Sequence, residues 1–245
     1  VDTSAVAVLK EAVTGSAFVT YDETGERHFI FNITNSASAH LSLSHVSASL
    51  LEDCTQLHVM GSSLFSSGIR EAMTKAIDIV TGQGGRVSFD PNIREELLGL
   101  PGMREALASI LGHTDIFLPS GPELTLLVDS NTEEEAIEEL LALGVREIVV
   151  KRGREGCAFY DATRRLDVPA VAVEEVDPTG AGDCFAATYV TCRHQGRPVE
   201  ASLRYACAAG ARAVTKKGPM EGTGGFADLD ALLAQGGAPR GAGRA

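Results

Sequence analysis

The run Asp177-Pro178-Thr179-Gly180-Ala181-Gly182-Asp183-Cys184-Phe185 carries more chemistry than any other stretch of this chain. Two glycines and an alanine stand before an acid, and the acid opens an apolar stretch from Cys184 to Val190. The pattern predicts a loop that delivers its backbone N–H groups to the start of a helix. Such a start attracts anions, because its first N–H groups lack intrahelical partners and the macrodipole adds positive potential. A carboxylate beside an anion site is unfavourable unless it acts there. Asp183 could act by taking a proton from a hydroxyl as that hydroxyl attacks a phosphate. The run therefore reads as a phosphoryl-transfer site, with N–H donors around Gly180, Ala181 and Gly182 and Asp183 as base. The plainer alternative is a helix N-terminus that Asp183 merely caps.

Three further groups follow predicted strands, where ligands of open α/β sheets bind. Asp90-Pro91-Asn92-Ile93-Arg94 offers an acid, an amide and a guanidinium that can grip hydroxyls, and Arg94 can hold a carboxylate or phosphate bidentately. Asp-Pro-Asn is equally good turn chemistry. Ser120-Gly121-Pro122-Glu123 places an acid early in a helix, where the dipole alone would favour it. Lys151-Arg152-Gly153-Arg154-Glu155-Gly156 sets three cations near two glycines. These suit a phosphate chain, or else form a solvated turn. The spacing is neither that of a Walker A loop nor a dinucleotide fingerprint.

The elements that must position these groups alternate. Residues 17–21 and 28–33 form a hairpin with its turn near Thr24-Gly25. Strands are expected at 57–60, 86–90, 115–118 and 147–150, and helices at 69–80, 103–111, 122–128 and 133–143. Thr132 is the expected cap of the last helix, with Glu135 in the capping-box position. Strands separated by helices imply a mostly parallel sheet. Residues 157–160, 164–168 and 171–173 lie too close together for intervening helices and should form a small antiparallel meander. Helices resume at Asp183 and continue through 201–214 and 229–233. The Gly/Ala/Arg-rich tail 236–245 is expected to be flexible. The domain reading is a β-hairpin lid at 15–35, an α/β core at 46–235 and that tail.

Composition limits the alternatives. The 245 residues carry a net charge of −12, which argues against nonspecific binding to nucleic acid or anionic membrane. Apolar residues make up 44%, enough to fill a core. No apolar run reaches membrane-spanning length. The five cysteines are odd in number and lack C-x-x-C spacing, so free thiols in a reducing cytoplasm are expected. The histidines form no metal-ligand pattern.

The Asp177–Phe185 run resembles the C-terminal signature of the ribokinase-like (PfkB) sugar kinases. The Asp90–Arg94 stretch is similar to that family's second motif, nearest to the 2-keto-3-deoxygluconate kinases. The resemblance extends from about Ala17 to Leu233. It implies a doubly wound α/β fold with a β-hairpin lid and an antiparallel edge meander. It implies an ATP- and Mg²⁺-dependent kinase in which Asp183 is the base and Gly180, Ala181 and Gly182 hold the moving phosphoryl. Lys151, Gly153, Arg154, Gly156 and Gly218, with Gly180 and Gly182, would contact the nucleotide. Glu123 would help organise the metal. Asp90, Asn92, Arg94 and Phe31 would face the sugar, and a homodimer through the lid is expected. Ile33 stands where the deoxygluconate kinases carry an Arg for the substrate carboxylate, which weighs against a sugar acid. The first strands of the family, with their sugar-binding Gly-Gly and Asn, have no counterpart before Val1. On this reading the chain is part of a longer parent and is by itself poorly soluble or inactive. The rival readings are a nucleoside kinase of the same fold and a catalytically silent nucleotide or sugar sensor.

Overall fold

The computed structural model describes residues 2–21, 27–93 and 98–236. The expected hairpin turn near Thr24-Gly25 and nearly all of the tail lie outside them. The chain divides into two compact units, Val1–His113 and Thr114–Ala245.

The first unit opens with β1 (Ser16–Tyr21) and β2 (Arg27–Asn32), an antiparallel pair in which Phe18 lies opposite Ile30 and Ala17 opposite Phe31. After three short 3-10 turns comes β3 (Gln56–Met60), then α1 (Ser67–Gly82), then β4 (Arg86–Asp90). β3 and β4 are parallel, with Gln56 opposite Arg86 and Met60 opposite Asp90. A parallel pair needs a crossover, and α1 supplies it by packing on both strands. Its buried residues Ile69, Ala72, Ala76, Ile77 and Val80 recur at the three- and four-residue spacing of one helical face. Ser66 caps the helix by accepting the Ile69 N–H at 3.2 Å. α2 (Met103–Leu111) closes the unit over buried Met103, Leu107, Ile110 and Leu111.

The second unit repeats the scheme. β5 (Ile116–Phe117) and β6 (Glu147–Lys151) are parallel, joined through α3 (Glu133–Ala142). β6 is apolar and buried at Ile148, Val149 and Val150, as a strand covered on both faces must be. The chain then reverses into β7 (Cys157–Tyr160) and β8 (Arg165–Val168), both antiparallel to their neighbours. Three helices follow: α4 (Ala181–His194), α5 (Val199–Ala213) and α6 (Phe226–Gly236). Ile116, Leu118, Val149, Phe159, Phe185, Tyr189 and Leu203 form one buried cluster between strands and helices.

Three local expectations need correction. Residues 171–173 are not a third meander strand. Pro169 interrupts the ladder, and the next N–H groups, of Val176 and Asp177, donate to Val214 O at 2.7 and 3.1 Å instead. The helix expected at 122–128 is a single 3-10 turn, Gly121–Thr125. Pro122 starts it, and although Leu124, Leu127 and Val128 have helical spacing, only Leu124 of the three is buried. α4 begins at Ala181, two residues before Asp183, because Gly180 takes the left-handed conformation that sets the helix entry.

Thr132 caps α3 as expected, accepting the Glu135 N–H at 3.2 Å. The Glu135 carboxylate reaches one residue further back, to the Asn131 N–H at 3.3 Å. Thr132→Ala is expected to cost about 1 kcal/mol. Urea unfolding monitored by circular dichroism checks this, and a midpoint unchanged from the parent would refute it.

Candidate active site

The candidate groups of the second unit gather at the first turn of α4. Gly180 has φ +81, open to glycine and strained for other residues. A Cβ there would stand 2.3 Å from Pro219 O, so the absent side chain lets two backbone segments touch. Asp183 is the third residue of the helix and is exposed. The Lys151 Nζ, reaching from the end of β6, lies 3.8 Å from where a Gly182 Cβ would be. A cation, the N-terminal N–H groups of a helix and a carboxylate are thus gathered around one turn. Phosphate oxygens would be drawn by the first two. A hydroxyl proton would be drawn by the third.

This turn is held by Asp177, a residue for which the sequence suggested no role. Its side chain is buried, at 5% exposure. Oδ1 accepts the Thr179 N–H at 3.0 Å, and Oδ2 accepts the Gly218 N–H at 2.9 Å. The first bond is an Asx-turn, local to Asp-Pro-Thr. The second reaches a residue 41 positions away. Gly218 thus belongs to the same neighbourhood through its backbone, which donates to Asp177. At the other end, α4 is fixed by Glu147. That carboxylate accepts the Tyr189 hydroxyl at 2.7 Å and the Arg193 guanidinium at 2.7 to 3.1 Å. Burial, and then Glu147, push the Tyr189 hydroxyl well above its ordinary value, so it stays a donor.

The cationic turn after β6 is compact. The Arg152 N–H donates to Gly156 O at 2.9 Å, and the Gly156 N–H donates to Gly153 O at 3.1 Å. Arg154 is exposed and paired with Glu175 at 3.0 Å. Arg152 turns away to Glu133, whose carboxylate also takes the Tyr160 hydroxyl. Burial first, and then Glu133, raise that hydroxyl to about 12. Of the three cations in this run, Lys151 is the one that the structure brings to α4. Glu123 is buried beneath the neighbouring strand end. Its Oε2 accepts the Ser120 N–H at 2.6 Å, closing a capping box, while Ser120 bridges to Lys151 in parallel register.

The first unit holds the other group. Asp90 is buried at the end of β4, and its Oδ1 accepts the Asn92 N–H at 3.2 Å. Asn92 has φ +39, an uncommon conformation for a residue with a side chain. Its amide donates to Met60 Sδ at 3.3 Å. The turn sits directly on Gly61, where a Cβ would come 2.1 Å from Pro91 O. That requirement for glycine was missed, since nothing local to Gly61 announces it. Arg94 lies outside the described residues. Phe31 is 41% exposed on the hairpin.

Comparison with known proteins gives consistent matches. The profile of the pfkB family carbohydrate kinases matches residues 1–223. Fructokinase-1 of Oryza sativa subsp. japonica is 32% identical over 232 residues, covering 90% of this chain and 71% of that protein. An E. coli structure, a candidate Ribokinase II in complex with ATP and Mg²⁺, is 49% identical with a TM-score of 0.89. It covers 93% of this chain and 73% of its own. A fructokinase from Vibrio cholerae O395, solved with fructose, ADP and calcium, is 28% identical with a TM-score of 0.76. It covers 89% of this chain and 73% of its own. The α/β fold, mostly parallel with an antiparallel meander, is therefore the ribokinase-like one.

Asp177→Ala leaves the part-buried Thr179 and Gly218 N–H groups without their acceptor. A loss of about 1.5–3 kcal/mol is expected, the scale of hydrogen bonds to a charged group. Denaturant unfolding measures it, and a loss below a few tenths would mean that Asp177 does not hold the turn.

Proposed function

The chain belongs to the pfkB family of carbohydrate kinases and is an ATP-dependent enzyme of that class; we propose that it transfers the γ-phosphoryl group to a hydroxyl of a neutral sugar, with Asp183 as base. The observation that carries the proposal is the first turn of α4, which gathers Lys151, the Gly180–Asp183 backbone and the Asp183 carboxylate.

The roles follow from charge. Gly180, Ala181 and Gly182 are assigned to the charge that accumulates on the moving phosphoryl. The Ala181 N–H also donates to Pro178 O at 3.3 Å, so Gly180 and Gly182 carry most of this role, and the helix dipole adds to them. Lys151 supplies a full positive charge to the same oxygens. Gly153, Arg154, Gly156 and Gly218 are assigned to the rest of the nucleotide. Asp183 takes the acceptor hydroxyl's proton as the oxygen–phosphorus bond forms, so that no alkoxide must exist free. Mg²⁺, when bound, would neutralise phosphate charge, and Glu123 is the acid assigned to organising it. The residues present suit this load: a helix N-terminus and an ammonium for the phosphates, and carboxylates for the ion and the proton.

Asp90, Asn92, Arg94 and Phe31 are assigned to the sugar. A neutral sugar is preferred to 2-keto-3-deoxygluconate for two reasons. Ile33 offers no charge to a substrate carboxylate, and curated relatives at about 30% identity are fructokinases. The hairpin is assigned as a lid. Phe18 and Ile30, directly paired on one face, are 61% and 63% exposed, which supports a homodimer through that face. No helix among the described residues is long and apolar enough to cross a membrane. Free cysteines suit a cytoplasmic location.

Asp183→Asn is expected to lower kcat about 10²–10⁴-fold, the usual range for a general base, with KM for ATP little changed. ADP release with fructose, ribose, 2-keto-3-deoxygluconate and nucleosides tests the substrate. Turnover with nucleosides alone would replace the sugar by a nucleoside. Calorimetric sugar binding without any turnover would make the chain a sensor.

A further inference from the structure

We propose that Cys157 and Cys207 form a redox-modification site, a buried dithiol that small two-electron oxidants convert to a disulfide and that thereby weakens the nucleotide side of the enzyme. Cys157 opens β7 and Cys207 lies in the middle of α5, so the pair bridges sheet and helix. Their sulfurs are 3.6 Å apart and share a hydrogen bond. A disulfide needs about 2.05 Å, a contraction of about 1.5 Å that side-chain rotation and a slight approach of α5 can supply.

Buried thiols are ordinarily inert because nothing reaches them. Here a cavity of about 260 Å³ has Cys157 in its wall, together with Arg152, Glu155, Asp167, Val168 and Pro169. The Cys207 sulfur is 3.6 Å from that of Cys157. Their shared hydrogen bond, and then burial, push the Cys157 thiol well above its ordinary value, while the same bond holds Cys207 below, so Cys207 is the attacking thiol and Cys157 the resolving one.

With a peroxide the balance is simple. Cys207 Sγ attacks one peroxide oxygen, the O–O bond breaks, and the departing hydroxide leaves as water with the Cys207 proton. Cys157 Sγ then displaces hydroxide from the Cys207 sulfenic acid, forming the S–S bond. The Cys157 proton leaves with that hydroxide as a second water. Two thiols are oxidised and one peroxide is reduced.

The consequence for activity rests on the kinase reading above. Cys157 directly follows Gly156, the last residue of the cationic turn. On α5, Gly210 packs against the first turn of α4, where its Cβ position lies 3.4 Å from Ala181 O. Drawing α5 towards β7 therefore shifts both groups assigned to the phosphates.

The test treats the reduced full chain with hydrogen peroxide or diamide, then alkylates and digests it with trypsin without reduction. The expected product links the 155–164 peptide to the 205–212 peptide, lighter by two hydrogens, and is absent in Cys157→Ala and Cys207→Ala. KM for ATP should rise several-fold on oxidation and return with dithiothreitol, while the oxidised-to-reduced ratio stays at one in both variants. If both cysteines remain fully alkylated after oxidation, or if either is found linked elsewhere, the site is refuted. A disulfide that forms without changing KM for ATP refutes its coupling to the nucleotide. The peptide map does not depend on turnover, so failure of the kinase reading would be seen separately.

Discussion

A helix cannot satisfy its own first N–H groups, and the second unit is organised around keeping one such end usable. The loop before α4 takes one of these groups, since the Ala181 N–H donates to Pro178 O at 3.3 Å. Asp177 fixes how that loop runs. Its two carboxylate oxygens take the N–H groups of Thr179 and Gly218, which fixes the loop from both sides. Gly180 then turns the chain through a left-handed conformation with its Cα against Pro219. At the far end, the Glu147 carboxylate anchors Tyr189 and Arg193 to the start of β6. The helix is clamped at both ends, which fixes the turn that is proposed for the chemistry.

The same logic, with different means, operates in the first unit. Asp90 is nearly without exposure, and a buried carboxylate is costly unless it is bonded. One of its oxygens takes the Asn92 N–H, and the turn presses on Gly61 until no side chain could fit there. The positive φ of Asn92 stores some strain at this point. In both units a glycine that contributes no chemistry of its own permits the backbone contact that positions residues assigned to chemistry.

Much of this was legible in the sequence because it is local. The spacing of Ile69, Ala72, Ala76, Ile77 and Val80 is a property of the helix itself, and so is the cap at Thr132. β4 and α2 have the expected bounds for the same reason. Where the expectation failed, a distant partner decided. Residues 171–173 have the composition of a strand, but the segment after them is held by Val214. Pro122 opens only a 3-10 turn, because of Leu124, Leu127 and Val128 only Leu124 finds buried packing. Arg152 and Lys151 are adjacent cations in one run. Glu133 and Tyr160 take Arg152, leaving Lys151 as the one brought to α4.

The sequence by itself determined the reaction class, since glycine conformations, a helix start and an acid at fixed spacing are encoded within one short run, Asp177 to Phe185. It also determined the alternation of strands and helices, which follows from periodicity. Only the tertiary structure decided which charges converge on that run and which backbone groups hold it. Lys151, Asp177 with Gly218, Gly61 with Pro91, and the Cys157–Cys207 pair are all meetings of residues remote in the chain. Such meetings depend on how buried surfaces pack, and a one-dimensional pattern encodes only which surfaces must be buried.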